Sequence, residues 1–205
     1  MKTKILIALV LLAVFTVSCH KTTIEYRELT ETMQQLIPYK LGQTVNFIDS
    51  EGQNFTVTVT KDTTYWEMAP GSDSEYTLYI QRKIVRLQSD VANFDATLNM
   101  VGTSIYMKID SPSDMWFHLR YDKKGKFYTD VRYCNTLLDC QYFRENFKIN
   151  NQTYYDVVEQ IMSYSKRDEN GQLIGRYTRS LFYNKTYGIL QIIDGDGENF
   201  LTINE

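Results

Sequence analysis

The feature that most constrains this chain is a two-residue rhythm of apolar and polar side chains recurring along most of its length. In Asn54–Thr60, Phe55, Val57 and Val59 alternate with Asn and Thr. A strand sends successive side chains to opposite faces, so this rhythm specifies one apolar and one polar face. Thr44–Ile48 alternates just before it, and Ser50-Glu51-Gly52 supplies a turn, which together predict a hairpin. Period-two stretches continue at Tyr76–Leu87, Phe94–Met100, Ser104–Ile109, Met115–Tyr121 and Lys126–Tyr133, with Lys123-Lys124-Gly125 turning between the last two. Phe147–Ile149, Asn150-Asn151-Gln152 and Thr153–Val158 predict another hairpin. Arg179–Ile193, the turn Asp194–Gly197 and Glu198–Ile203 predict the last. In Tyr154–Tyr164 a helical spacing competes, but the Tyr, Val and Ile enrichment favours strand.

About ten short strands predict a mainly β chain: a single antiparallel curved sheet, a sandwich, or a half- or full barrel. The 16 Tyr and 10 Phe of this 205-residue chain agree with that, because aromatics pack well beside β-branched neighbours across strands. One short helix is expected near the start. In Glu25–Leu36, Tyr26, Leu29, Met33 and Leu36 recur at three- and four-residue spacing, and Pro38 then ends the pattern.

The opening has the form of an export signal. Lys2 and Lys4 precede an apolar run, Ile5–Val17, of about 13 residues, too short to span a bilayer comfortably but right for a signal-peptide core. Residues 1–18 are read as signal peptide, 19–24 as a tether and 25–205 as one β-rich domain. Losing Lys2 and Lys4 takes the formal charge from −3 to −5, and so mildly acidic a chain has no electrostatic footprint for nucleic acid. Thr16-Val17-Ser18-Cys19 resembles a bacterial lipobox, with Thr16 where Leu is usual, so Cys19 is the expected lipid-attachment residue. Several acyl chains, each buried CH₂ contributing about 0.8 kcal/mol, suffice for stable anchoring. The competing reading is ordinary secretion with Cys19 beside the cleavage point by chance.

Cys134 and Cys140 then form an even pair in an oxidising compartment, expected as a disulfide worth about 2 kcal/mol. Their spacing is wrong for a CxxC redox pair, and no histidine lies near enough in sequence to make them metal ligands.

Three stretches carry a resemblance: Ile37-Pro38-Tyr39-Lys40-Leu41-Gly42-Gln43-Thr44-Val45-Asn46-Phe47, Thr153-Tyr154-Tyr155-Asp156-Val157 and Phe182-Tyr183-Asn184-Lys185-Thr186-Tyr187-Gly188-Ile189-Leu190. They look like parts of small Bacteroidetes lipoproteins, in which P-Y-x-x-G-x-x-x-x-F follows a short helix and Y-x-x-x-x-G-I/L leads to the final hairpin. The resemblance implies a β-rich fold and an outer-membrane location, and transfers no activity. His20 is not the Asp that resembles an inner-membrane retention signal, and no acidic cluster of the surface-export type follows Cys19. A periplasm-facing domain is therefore implied, with the cell surface as the alternative.

Residues with chemical potential are few. His118 lies in Met115-Trp116-Phe117-His118-Leu119-Arg120, and alternation puts it on one side with Trp116 and Arg120. No G-x-S-x-G motif accompanies it, so a hydrolase triad has no support. Glu67, Asp95, Asp114 and Glu145 are carboxylates whose pairing sequence alone does not reveal. Asp194-Gly195-Asp196-Gly197-Glu198 lacks the further ligands of a calcium loop and reads as a hairpin turn. Asn54, Asn151 and Asn184 fit glycosylation sequons that mean little in a bacterial lipoprotein. No metal or cofactor is expected. Trp66, Trp116 and His118 are the candidate ligand-binding residues. The leading expectation is a non-enzymatic binding or scaffold module at the outer membrane, with a protein, glycan or hydrophobic partner. The alternatives are a half-barrel carrier of lipid or another hydrophobe, and a glycan-binding or glycan-acting protein that stacks sugars on aromatics.

Overall fold

The computed structural model describes residues 23–73, 75–110, 115–127, 140–167, 170, 172–194 and 199–204. Cys19, Cys134 and Asp114 lie outside these residues, as do Lys126–Tyr133 beyond Phe127 and the Gly195–Glu198 turn. Cys140 begins a strand whose first side chain is not described, so the expected disulfide also falls outside.

Twelve strands run through the described residues: β1 (Thr23–Arg27), β2 (Thr44–Asp49), β3 (Asn54–Met68), β4 (Tyr76–Ser89), β5 (Phe94–Val101), β6 (Ser104–Ile109), β7 (Met115–Arg120), β8 (Cys140–Ile149), β9 (Gln152–Arg167), β10 (Leu173–Asn184), β11 (Gly188–Ile193) and β12 (Asn199–Ile203). They belong to one sheet, ordered β7-β6-β5-β4-β3-β2-β12-β11-β10-β9-β8, with β1 added to β4 off that path. Every pair on the path is antiparallel. The sheet is nearly closed into a barrel. It is the curved, barrel-like member of the expected set, with the expected turns at Ser50–Gly52, Lys123–Gly125 and Asn150-Asn151 among the described residues. At Ser50–Gly52, Asp49 Oδ1 accepts from Glu51 N and Gln53 N at 2.9 and 2.8 Å. At Lys123–Gly125, Asp122 Oδ1 does the same for Lys124 N and Lys126 N, at 2.8 and 2.9 Å.

Alternation decides the inside. Phe94, Ala96, Leu98 and Met100 of β5 are buried, as are Ile105, Met107 and Ile109 of β6 and Met115, Phe117 and Leu119 of β7. Their outward neighbours include Asp95, Thr97, Asn99, Lys108 and Arg120, so this wall is apolar within and, Tyr106 and Trp116 apart, mainly polar without. A membrane-spanning barrel has the inverse pattern. Phe47, Phe55 and Phe94 meet in the core with ring centroids 6.0–6.3 Å apart. No described helix is long and apolar enough to cross a membrane.

The start of the chain departs from expectation. The helix predicted over Glu25–Leu36 is a single turn, α1 (Glu31–Gln34), capped by Thr30, whose side chain accepts from Met33 N at 3.3 Å. Residues 23–27 instead pair parallel with β4, Thr23↔Tyr76 through Arg27↔Ile80. Ile24 and Tyr26 suit a strand as well as a helix, and β4 offers an unpaired edge there, so the ladder wins over local spacing. Three of the four spaced positions are still buried: Leu29, Met33 and Leu36 enter the core, joined by Ile37, while Tyr26 is exposed.

Segment 36–39 is pinned inside the barrel by two tyrosines. Tyr183 Oη donates to Leu36 O at 2.5 Å, and Ile189 N donates to Tyr39 Oη at 2.7 Å. Gly188 has φ +80°, and a Cβ there would lie 2.2 Å from Tyr39 Oη, so only glycine fits beneath the phenol. The Pro38-Tyr39 and Tyr183…Gly188-Ile189 motifs, about 150 residues apart in sequence, thus pack against each other.

Among the described residues, the two ends of the sheet meet through side chains of β8 and β9. Gln141 of β8 stands opposite Gln160 of β9, and both are buried. Gln160 Oε1 accepts from His118 N at 2.6 Å; Gln141 Oε1 accepts from Arg120 N, and Gln141 Nε2 donates to Arg120 O, each at 2.9 Å. Side-chain amides therefore satisfy backbone groups along the β7 edge.

Candidate functional site

The edge of β4 is shared between two partners. Residues 82–89 pair with β5, starting at Arg82↔Val101, and residues 76–80 pair with β1, ending at Arg27↔Ile80. A notch opens between them. The chain crosses it from Arg27 into α1, held by Leu29 N donating to Gln81 Oε1 at 2.9 Å. Below this crossing lies a half-open cleft of about 950 Å³. Leu29, Met33, Leu78, Ile80 and Val101 give it apolar walls, and Glu25, Arg27, Glu28 and Lys123 give it a charged rim. On that rim Glu25 accepts from Tyr76 Oη at 2.5 Å and from Arg27 Nε at 2.7 Å. The Tyr76 hydroxyl and then Arg27 hold its carboxyl below the ordinary range.

Beside the notch, β3 and β4 continue past the barrel as a ribbon with β1 on its edge. A register shift between Val59 and Lys61 marks where β3 leaves the wall. Cross-strand pairs share a face, and Val85↔Asp62, Lys83↔Thr64, Gln81↔Trp66 and Tyr79↔Met68 carry the inward face of Val85 outward along the ribbon. Lys83 on this face is buried under α1, with Nζ 3.5 Å from both Asp62 Oδ1 and Gln34 O. Further out, no described segment packs over it. Tyr26 stacks on Tyr79 at 5.3 Å and meets Trp66 edge-on at 5.4 Å, with Ile24 and Met68 beside them.

The three candidate ligand-binding residues separate. Trp116 and His118 share the outer face of β7, whereas Trp66 lies on the inner face of the ribbon, at the other end of the wall. Around the first two, His118 stacks on Tyr106 at 4.4 Å and its Nε2 lies 2.9 Å from Ser104 Oγ, while Lys108 Nζ sits 5.2 Å over Trp116. Sequence reading found Trp116 and His118 but not Tyr106 or Lys108. The cross-strand register that places these opposite them was the missing signal. The notch was likewise illegible, because it depends on which partner occupies each part of one strand edge.

Of the carboxylates considered as catalytic pairs, the three described ones each stand apart. Glu67 ion-pairs with Arg82, Asp95 with Arg86, and Glu145 is exposed. Arg86 holds the Asp95 carboxyl below its ordinary range. Asp194 accepts from Arg179 Nε at 2.7 Å. Among the described residues, no group of three or more His, Cys, Asp or Glu could hold a metal ion. Two smaller clefts lie elsewhere, one of about 440 Å³ at the Asn150-Asn151 turn and one of about 290 Å³ at Tyr142–Arg144. No protein-family profile, curated protein or solved structure matches the chain.

Proposed function

We propose that this protein is a non-enzymatic binding module of the bacterial envelope, anchored to the outer membrane through Cys19, with the notch cleft as its binding site. The observation that carries the reading is the cleft itself: about 950 Å³ of half-open space with aliphatic walls and a rim of both charges. Space of this kind suits a ligand with an apolar body and polar ends. The lipobox-like Cys19 and the resemblance to small Bacteroidetes lipoproteins support the location.

The cleft lies at the rim, while the barrel interior is filled by Phe47, Leu98, Met107, Phe117 and Tyr183, all under 3 % exposed. This weighs against a lumen that carries lipid. Titration with an anilinonaphthalene sulfonate probe, apolar with one anionic group, tests the site. Val101→Trp, which fills the cleft, is expected to weaken probe binding at least about tenfold. Unchanged binding refutes the assignment.

One observation favours a second reading, glycan binding on the outer β5–β7 face. Trp116 and Tyr106 are 52 % and 39 % exposed there, on adjacent strands of one face. In Trp66→Phe protein, Trp116 emission should respond to oligosaccharides. A flat titration removes this reading.

A further inference from the structure

Past the rim the ribbon exposes large apolar side chains that its body would bury. Ile24, Tyr26, Trp66 and Met68 are 55 %, 62 %, 44 % and 52 % exposed and share one face. Two chemistries could cover such a lip. Sugar stacking wants open, parallel ring faces, but Tyr26 and Tyr79 are stacked against each other and Trp66 meets Tyr26 edge-on. The mixture of Trp, Tyr, Ile and Met, apolar bodies with a few polar tips, matches instead the interfacial zone of a bilayer.

Chain length selects the same occupant. Cys19 precedes Thr23 by four residues, which reach at most about 14 Å when fully extended. A lipid on Cys19 therefore brings β1, and with it Ile24 and Tyr26, to the membrane surface. We propose that the lip formed by Ile24, Tyr26, Trp66 and Met68 is a membrane-contact face that rests in the interfacial zone of the bilayer carrying the anchor and fixes the tilt of the barrel. This rests on the anchoring reading above. A single lipidated residue leaves a domain free to rotate, whereas a second contact through Trp66 and Met68, on a different strand from the tether, does not. The polar outer wall of β5–β7 then stays in water.

The test uses the anchored full-length protein in phosphatidylethanolamine–phosphatidylglycerol vesicles containing phosphatidylcholine brominated on its acyl chains. The chain has two tryptophans, so Trp116→Phe leaves Trp66 as the only reporter. Quenching of Trp66 by about twofold or more, with a blue shift, is expected, whereas Trp66→Phe protein, reporting from Trp116, stays unquenched. Protein that floats with the vesicles while Trp66 stays unquenched overturns the proposal. So does Trp66 burial that depends on protein concentration and not on lipid, which would make the lip a self-association face. The anchor is judged separately by Cys19→Ala. Flotation and Trp66 quenching that both survive this change would refute the anchor and keep the lip; loss of flotation with quenching intact in the anchored protein supports both.

Discussion

The body of the barrel and the ribbon beyond its rim are built from the same two strands, and they treat the same face in opposite ways. In the body, inward Phe55, Val57 and Val59 of β3 and Val85 and Leu87 of β4 are buried. A few residues along, Trp66 and Met68 occupy the continuation of that face and are exposed. Nothing in the alternation changes between the two regions. What differs is the opposing surface: the body has a curved far wall and the 29–39 segment to close on, while among the described residues the ribbon gains only the edge strand β1 within its own sheet. Period-two patterning specifies a face, while the topology supplies its cover.

The contrast breaks most sharply at two glycines of positive φ. Gly188→Ala drives a Cβ into Tyr39 and should cost more than about 4 kcal/mol or prevent folding, measured by urea denaturation. Gly71, at the ribbon tip with φ +85°, meets nothing within 4 Å, so Gly71→Ala should cost only the backbone strain of about 1 kcal/mol. Aromatic truncation repeats the lesson at smaller scale. Phe47→Ala should cost about 3–5 kcal/mol and Trp66→Ala under about 1 kcal/mol. Equal losses would mean that the ribbon face is packed.

Alkaline pH sharpens the comparison further. Burial raises Tyr39, Tyr121 and Tyr183 above the ordinary phenol value. The unfolded chain loses these protons near pH 10, and the folded body keeps them to higher pH. Their contribution is therefore complete below pH ~10 and disappears as pH climbs toward the raised values, at about 1.4 kcal/mol per tyrosine per pH unit. Urea midpoints from pH 9 to about pH 11.5 should fall steeply, and Tyr183→Phe should flatten the slope. The smallest effect belongs to the outer wall. Asp95→Asn releases Arg86 at a partly exposed site and should move the midpoint least, with the shift erased near 1 M salt.

Much of the barrel was legible in the sequence, and the reasons are local. β2 with β3 and β8 with β9 declared themselves through alternation around Ser50-Glu51-Gly52 and Asn150-Asn151, because a short turn fixes its own register. The P-Y and Y-x-x-x-x-G-I motifs were visible too, but their meaning was not. Tyr39 and Gly188 are mutual packing partners, a relation that exists only after about 150 residues of chain have folded. The β1–β4 pairing failed for a related reason: parallel addition to a distant edge leaves no local signature, so the spacing of Tyr26, Leu29 and Met33 read as helix. Trp116 and His118 were placed on one side correctly, and the cleft, which belongs to no single segment, went unseen.

The glutamine seam bears on how the protein behaves in a crowd. An open sheet ends in backbone donors and acceptors that invite strands from neighbouring molecules and seed aggregates. Here the β7 edge spends the amides of His118 and Arg120, and the carbonyl of Arg120, on Gln160 and Gln141 of its own chain. Two buried side chains thus occupy backbone groups of that edge and withdraw them from intermolecular pairing, making colloidal stability a property of residues that lie far from the cleft.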